Sequence, residues 1–164
     1  MVTSGTKWEK VGDMAGMLLG QFEAIVGDKN RIAFPKKLRE IIGNKLIITL
    51  GYENSLIIVG QEGWKALLEG TEGLPWTFGP ARATQRFILG GASQIELDAK
   101  GRFILPVYLR SYAKITGEIV FVGLSLYVEL WDKRRWEVYR KELEKKIGTI
   151  AERLVGSEKR EEKK

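Results

Sequence analysis

Two short segments carry the side chains best suited to chemistry: Lys29-Asn30-Arg31 and Lys100-Gly101-Arg102. Each sets an ammonium and a guanidinium around one residue of a type that tolerates positive φ, as a tight turn requires. Such a turn projects Lys and Arg from a hairpin tip, where they can meet phosphates or the edge of a guanine in the major groove. Charged residues also sit at hairpin tips simply because tips are solvated. The recurrence of the same charges in the same register favours the first reading, since solvation alone does not require it. Asp98 stands four residues before Arg102, placed to accept turn amides or to hold the guanidinium.

Other chemistry is scarce. The chain of 164 residues has neither cysteine nor histidine. Disulfides, thiolate nucleophiles, Cys- or His-ligated metals and the commonest general base are therefore excluded. No paired carboxylates, metal cluster or phosphate-cradling glycine loop takes their place, so the sequence points to binding rather than catalysis. No cofactor and no small-molecule substrate are implied. The net charge of +6 lies mostly in the second half and tail, and permits a polyanionic partner without requiring one. No apolar run reaches the roughly 20 residues of a membrane span, and Met14–Leu19 lacks a signal-peptide pattern, so a cytoplasmic protein without a membrane partner is expected.

The elements that position the two turns come from a duplication. Aligning residues 20–69 with 91–141, with one residue inserted in the second copy, places Gly20 on Gly91, Lys29 on Lys100, Arg31 on Arg102 and Pro35 on Pro106. Leu38-Arg39 falls on Leu109-Arg110, Ile47 on Ile119, Gly51 on Gly123 and Trp64 on Trp136. In each copy an alternating strand (around Phe22–Val26; Gln94–Leu97) leads into a polar turn (Gly27–Asn30; Asp98–Gly101). A short strand follows (Arg31–Phe34; Arg102–Leu105), then a helix opened by proline (Pro35–Ile42; Pro106–Tyr112). Two apolar strands come next (Leu46–Leu50 with Leu56–Val59; Ile119–Val122 with Tyr127–Trp131), and a Trp-bearing helix closes the unit (61–69; 132–147). A unit of about fifty residues holds little core alone, so the copies are expected to pack or interleave about a pseudo-twofold axis. Arg39 and Arg110, in last helical turns, suit the helix dipole, and Trp64 and Trp136 are expected to anchor their helices to the sheet. Lys133-Arg134-Arg135 stands at a helix start, where the dipole disfavours cations; it reads as an interaction face or a solvated run.

The organisation that follows is an extension at 1–18, a first repeat at 19–69, a linker and connecting helix at 70–90, a second repeat at 91–147 and a charged tail at 148–164. Within these, Gly70–Pro80 is the linker, Ala81–Leu89 the helix, and Ser157–Lys164 is expected to fray.

These residues resemble the MraZ family, bacterial regulators associated with the division and cell-wall gene cluster. The resemblance runs over about 19–145. It rests on Leu19-Gly20-Gln21-Phe22-Glu23, Arg31…Pro35…Leu38-Arg39, the Trp64 helix and Ala81-Arg82…Phe87-Ile88-Leu89-Gly90-Gly91-Ala92. The second copy adds Glu96-Leu97-Asp98-Ala99-Lys100-Gly101-Arg102, Pro106…Leu109-Arg110, Val122-Gly123 and Glu129-Leu130-Trp131…Trp136. It implies a β-rich α+β fold of two tandem SpoVT/AbrB-like swapped-hairpin repeats. It also implies sequence-specific binding of double-stranded DNA at repeated boxes, a nucleoid-associated protein, and a ring-shaped homo-oligomer, an octamer or dodecamer. In the family a D-x-x-x-R turn carries recognition. The implied DNA-binding residues are Lys29, Asn30, Arg31, Asp98, Lys100, Gly101 and Arg102. The second copy has the whole pattern; the first has Gly27 for the aspartate and Asn30 for the glycine. Family members begin close to Met17, which makes that residue a candidate start beside Met1. The competing expectations are an AbrB-like antitoxin or transition-state regulator, which would carry one repeat, and a structural oligomer whose basic turns make subunit contacts.

Overall fold

The computed structural model describes residues 16–70 and 73–161. Eight strands and five α-helices follow one another: β1 (Leu18–Ile25), β2 (Arg31–Ala33), α1 (Lys36–Ile42), β3 (Lys45–Leu50), β4 (Leu56–Val59), α2 (Gln61–Glu69) and α3 (Gly79–Ile88). The second half continues with β5 (Ser93–Glu96), β6 (Arg102–Ile104), α4 (Val107–Tyr112), β7 (Glu118–Ser125), β8 (Val128–Asp132) and α5 (Lys133–Glu161). The expected order of elements is present in both copies.

Their pairing is not that of simple hairpins. Beyond one backbone bond at each turn (Gly27 N to Arg31 O, 2.8 Å; Asp98 N to Arg102 O, 2.9 Å), the two strands leaving a turn separate. β1 joins β7 of the other copy, β5 joins β3, and β2 pairs with β6. A six-stranded sheet results in the order β1-β7-β8-β4-β3-β5, beside a two-stranded β2-β6 ribbon. Exchange of the copies reverses the six-stranded order into itself, so the pseudo-twofold axis passes between β8 and β4 and through the ribbon. The fold is thus a strand-rich α+β arrangement of two interleaved repeats.

Interleaving follows from how apolar surface is shared. Ile32 and Phe103 of the ribbon, Leu38 of α1 and Leu109 of α4 pack with Leu46, Ile48, Leu56, Ile58, Ile119, Phe121, Val128 and Leu130 of the sheet in a single core. Neither half could close it alone, because each wall of the core, sheet and ribbon alike, takes strands from both copies. Phe34 lies edge-on to both Phe103 and Phe121, at 6.3 and 5.2 Å between ring centres. The opposite sheet face is covered by helices. On the second-copy half Trp136 and Tyr139 of α5 pack on Trp131, Val120 and Val122. The Trp136 indole donates to Gln21 Oε1 of β1 at 3.0 Å, which confirms its anchoring role. Trp64 is only half-buried. On the first-copy half, buried Thr49 donates to the Ile88 carbonyl at 2.5 Å and fixes the end of α3 to β3.

Several boundaries differ from expectation. Residues 1–15 of the anticipated extension lie outside the described residues, but Leu18 already opens β1 and is buried, because it caps the core beside β7. The connecting helix runs Gly79–Ile88, with Pro80 in its first turn where a missing N–H costs nothing. The closing helix of the second copy does not stop at 147, and residues 162–164 of the stretch expected to fray lie outside the described residues. α5 continues to Glu161, supported along its exposed part by i,i+4 pairs such as Arg140–Glu144 at 2.8 Å.

Candidate nucleic-acid interface

Alternation along a strand determines what the ribbon presents. Ile32 and Phe103 point into the core. Their neighbours must face the other way: Arg31 and Ala33 on β2, Arg102 and Ile104 on β6. The register sets Arg31 opposite Ile104 and Ala33 opposite Arg102. Both turn arginines therefore rise from one outward face, diagonal to each other, with Ile104, 59% exposed, directly opposite Arg31. They begin strands rather than standing at hairpin tips.

The turns sit at opposite ends of this ribbon. Leu105 N donates to the Asn30 carbonyl at 2.8 Å, and Phe34 N to the Gly101 carbonyl at 2.9 Å. At ~3.4 Å per strand residue this separates the two turns by about 14 Å. Asn30 (φ 60°) and Gly101 (φ 75°) share the left-handed backbone state expected of them, and Lys29 joins them at φ 58°. Lys29 and Lys100 are exposed, one at each end. Among the described residues, no carboxylate pairs with Lys29, Arg31 or Lys100.

In the second turn Asp98 organises the arginine. One carboxylate oxygen accepts from the backbone N–H of Lys100 and of Arg102, both at 2.9 Å, and the other accepts from Arg102 Nε at 3.0 Å. The backbone N–H of Arg102 above all, with its guanidinium in support, holds the Asp98 carboxyl below its ordinary value of 3.8. Asp98 engages Nε, and the terminal nitrogens of Arg102 have no hydrogen-bond partner among the described residues. In the first turn Gly27 offers no carboxylate, and Arg31 is exposed without such a brace.

The first turn is braced differently. Arg110, in the last turn of α4, reaches across the pseudo-twofold axis: Nη1 donates to Asn30 Oδ1, while Nε and Nη2 donate to the carbonyls of Ile115 (3.2 Å) and Thr116 (3.1 Å). Its counterpart Arg39 lies against Gly101, where an added Cβ would overlap the guanidinium and stand 2.6 Å from its Cζ. Each helix-end arginine thus supports the turn of the other copy. This explains why the two copies differ at one position. Glycine leaves room for Arg39, and asparagine supplies an acceptor for Arg110. The repeated Leu-Arg pair was the available sequence signal, but its target lay beyond the reach of sequence, since dipole complementarity within the helix accounts for an arginine there without any cross-copy contact.

The basic run at the start of α5 is largely engaged within the chain. Lys133 Nζ pairs with Glu23 at 3.3 Å, and Arg135 donates to Asn54 Oδ1 at 3.3 Å; Arg134 is exposed. Among the described residues no group of His, Cys, Asp or Glu could hold a metal ion, and no helix is long and apolar enough to cross a membrane.

Comparison with known proteins matches the model of the MraZ family, described as an antitoxin-like MraZ protein, twice in tandem, over residues 17–87 and 88–157. The chain belongs to the MraZ family. It is 41% identical over 138 residues to "Transcriptional regulator MraZ" of Caldanaerobacter subterraneus subsp. tengcongensis, covering 84% of this chain and 96% of the relative. The protein of the same name from Moorella thermoacetica is 39% identical over 139 residues, covering 85% and 97%. That from Thermoanaerobacter sp. is 40% identical over 138 residues, covering 84% and 96%. The family is one of transcriptional regulators and not of enzymes.

Proposed function

We propose that the β2–β6 ribbon and its two turns are the DNA-reading surface of a sequence-specific transcriptional regulator. The observation that carries this is the convergence of Arg31 and Arg102 on one outward ribbon face, with a free lysine at each end. A B-DNA major groove admits a two-stranded ribbon, and a guanidinium fork matches O6 and N7 of guanine. Lys29 and Lys100 would contact the flanking phosphates and set the register. Asn30 and Gly101 keep the turn backbones in their left-handed state. Asp98 orients Arg102 and leaves its fork for a base.

One chain supplies one ribbon, so one chain reads one short box. Repeated boxes upstream of the division and cell-wall gene cluster then suit neighbouring subunits of a ring-shaped homo-oligomer, an octamer or dodecamer, in the cytoplasm and associated with the nucleoid. The names of the relatives support the regulatory role.

The test is a gel-shift titration of DNA from upstream of this gene against a scrambled duplex, at two salt concentrations. The native duplex is expected to bind more tightly at both. Arg102→Ala and Arg31→Ala are each expected to reduce that preference by about 1–3 kcal/mol. Equal affinity for the two duplexes would refute the proposal. Light scattering coupled to gel filtration checks the ring, and a monomer would overturn that part.

A further inference from the structure

The outward face of the β2–β6 ribbon is not the same at its two ends. The arginines repeat, but the residues across from them differ: Arg31 stands directly opposite Ile104, and Arg102 opposite Ala33. Ile104 and Ala33 hold the same place in the two copies, two residues after the turn arginine. Both are exposed, Ile104 by 59%, so neither side chain belongs to the core. A β-branched residue suits a strand, yet Ala33 makes the same ribbon pairing without one. A lone exposed isoleucine elsewhere on a surface needs no explanation. Here it lies beside Arg31, at the end of the ribbon that carries Lys29, and neither cation has a carboxylate partner among the described residues. An apolar protein surface laid over Ile104 would strip water from both charges without supplying a counter-charge. A DNA major groove supplies phosphates and guanine acceptors for the cations, and one apolar group, the C5-methyl of thymine, for the isoleucine.

We infer that Ile104 is a specificity-determining residue that packs on the methyl group of a thymine neighbouring the base read by Arg31. This rests on the reading of the ribbon as the DNA-contacting surface, and adds which base is selected and by what. Directly opposed strand residues have their Cβ atoms about 5 Å apart, and successive bases follow at ~3.4 Å, so the two side chains reach neighbouring base pairs. Ala33 is too short to make the equivalent contact beside Arg102. A ribbon with pseudo-twofold symmetry thus reads an asymmetric box, with a thymine selected next to the Arg31 base and none selected next to the Arg102 base.

Deoxyuridine lacks only that methyl group and keeps the pairing edge of thymine, which isolates the contact. The full-length protein is titrated against the duplex from upstream of this gene, the same duplex with uracil for every thymine, and a scrambled duplex. The wild-type protein is expected to bind the uracil duplex at least about fourfold more weakly than the thymine duplex, the weight of one buried methyl group. Ile104→Ala is expected to bind the thymine duplex more weakly by a similar factor, and to bind thymine and uracil duplexes within about twofold of each other. Ile104→Ser provides a second truncation, and a thermal melt verifies that both variants fold. Equal wild-type affinity for the thymine and uracil duplexes would overturn the inference. So would an undiminished uracil penalty in both variants, the signature of altered duplex shape rather than of a side-chain contact. Failure to prefer the upstream duplex over the scrambled one would instead refute the reading of the ribbon, and the inference with it.

Discussion

Replacing Arg110 tests whether the two copies hold each other's turns in place. Its guanidinium makes three hydrogen bonds, of which those to the Ile115 carbonyl and to Asn30 Oδ1 are partly buried. A bond from a charged donor contributes about 1.5–3 kcal/mol at best, and partial exposure places each of these at the lower end. Arg110→Ala should therefore destabilise the fold by about 2–3 kcal/mol. That figure mixes closure of the α4 loop with support of the distant turn. A double-mutant cycle with Asn30→Gly separates them, because glycine accepts the local φ of 60° without strain. The coupling between positions 30 and 110 should be about 1–1.5 kcal/mol, read from urea unfolding at fixed protein concentration. Additivity within ~0.3 kcal/mol would refute the cross-copy brace and leave Arg110 as a local cap. Arg110→Ala should also weaken DNA binding, whereas Asn30→Gly in the Arg110→Ala background should weaken it no further.

Three other outcomes follow from the geometry. Gly101→Ala combines a φ of 75° with displacement of the Arg39 guanidinium and should destabilise by roughly 1–2 kcal/mol; Gly101→Asn, which imports the first copy's solution, should be milder in the same thermal melt. The Asp98 carboxyl is depressed in the folded protein, so its contribution is present above the ordinary value of 3.8 and is lost as pH falls through the lower folded value. The amide resonances of Lys100 and Arg102 should stay constant from neutral pH down to about 4 and shift only below, and in Asp98→Asn that acid transition should vanish. Trp136→Phe keeps the packing on Trp131 but removes the donor to Gln21; a loss of about 1 kcal/mol is expected, with faster hydrogen exchange along β1.

Much of this was legible in the sequence because the copies annotate each other. Lys29 on Lys100 and Pro35 on Pro106 gave the order of elements, and the residue types at Asn30 and Gly101 gave the left-handed turns that the backbone adopts. What escaped was everything set by pairing across the duplication. Alternation in Phe22–Val26 identifies a strand but says nothing of its partner, so β1 could not be assigned to β7. The short span Arg31–Ala33 shows Ile32 as apolar, yet only the ribbon register reveals that Arg31 and Arg102 share a face. The end of α5 was misjudged for another reason. Its charge-rich sequence fits a solvated tail, whereas the helix that Trp136 anchors runs on unbroken to Glu161.

The exchange of strands also governs how the chain can be made. β1 finds its partner about a hundred residues later, in β7, and β3 finds β5 only after the linker, so much of the sheet depends on pairings of high sequence separation. During synthesis the first copy leaves the ribosome without a folding partner, its Leu46–Leu50 and Leu56–Val59 segments uncovered until the second copy follows. Folding should be slow, cooperative over both copies and vulnerable to pairing between two nascent chains. The linker between the copies keeps the correct partner at high effective concentration, and so favours the intramolecular match over the intermolecular one.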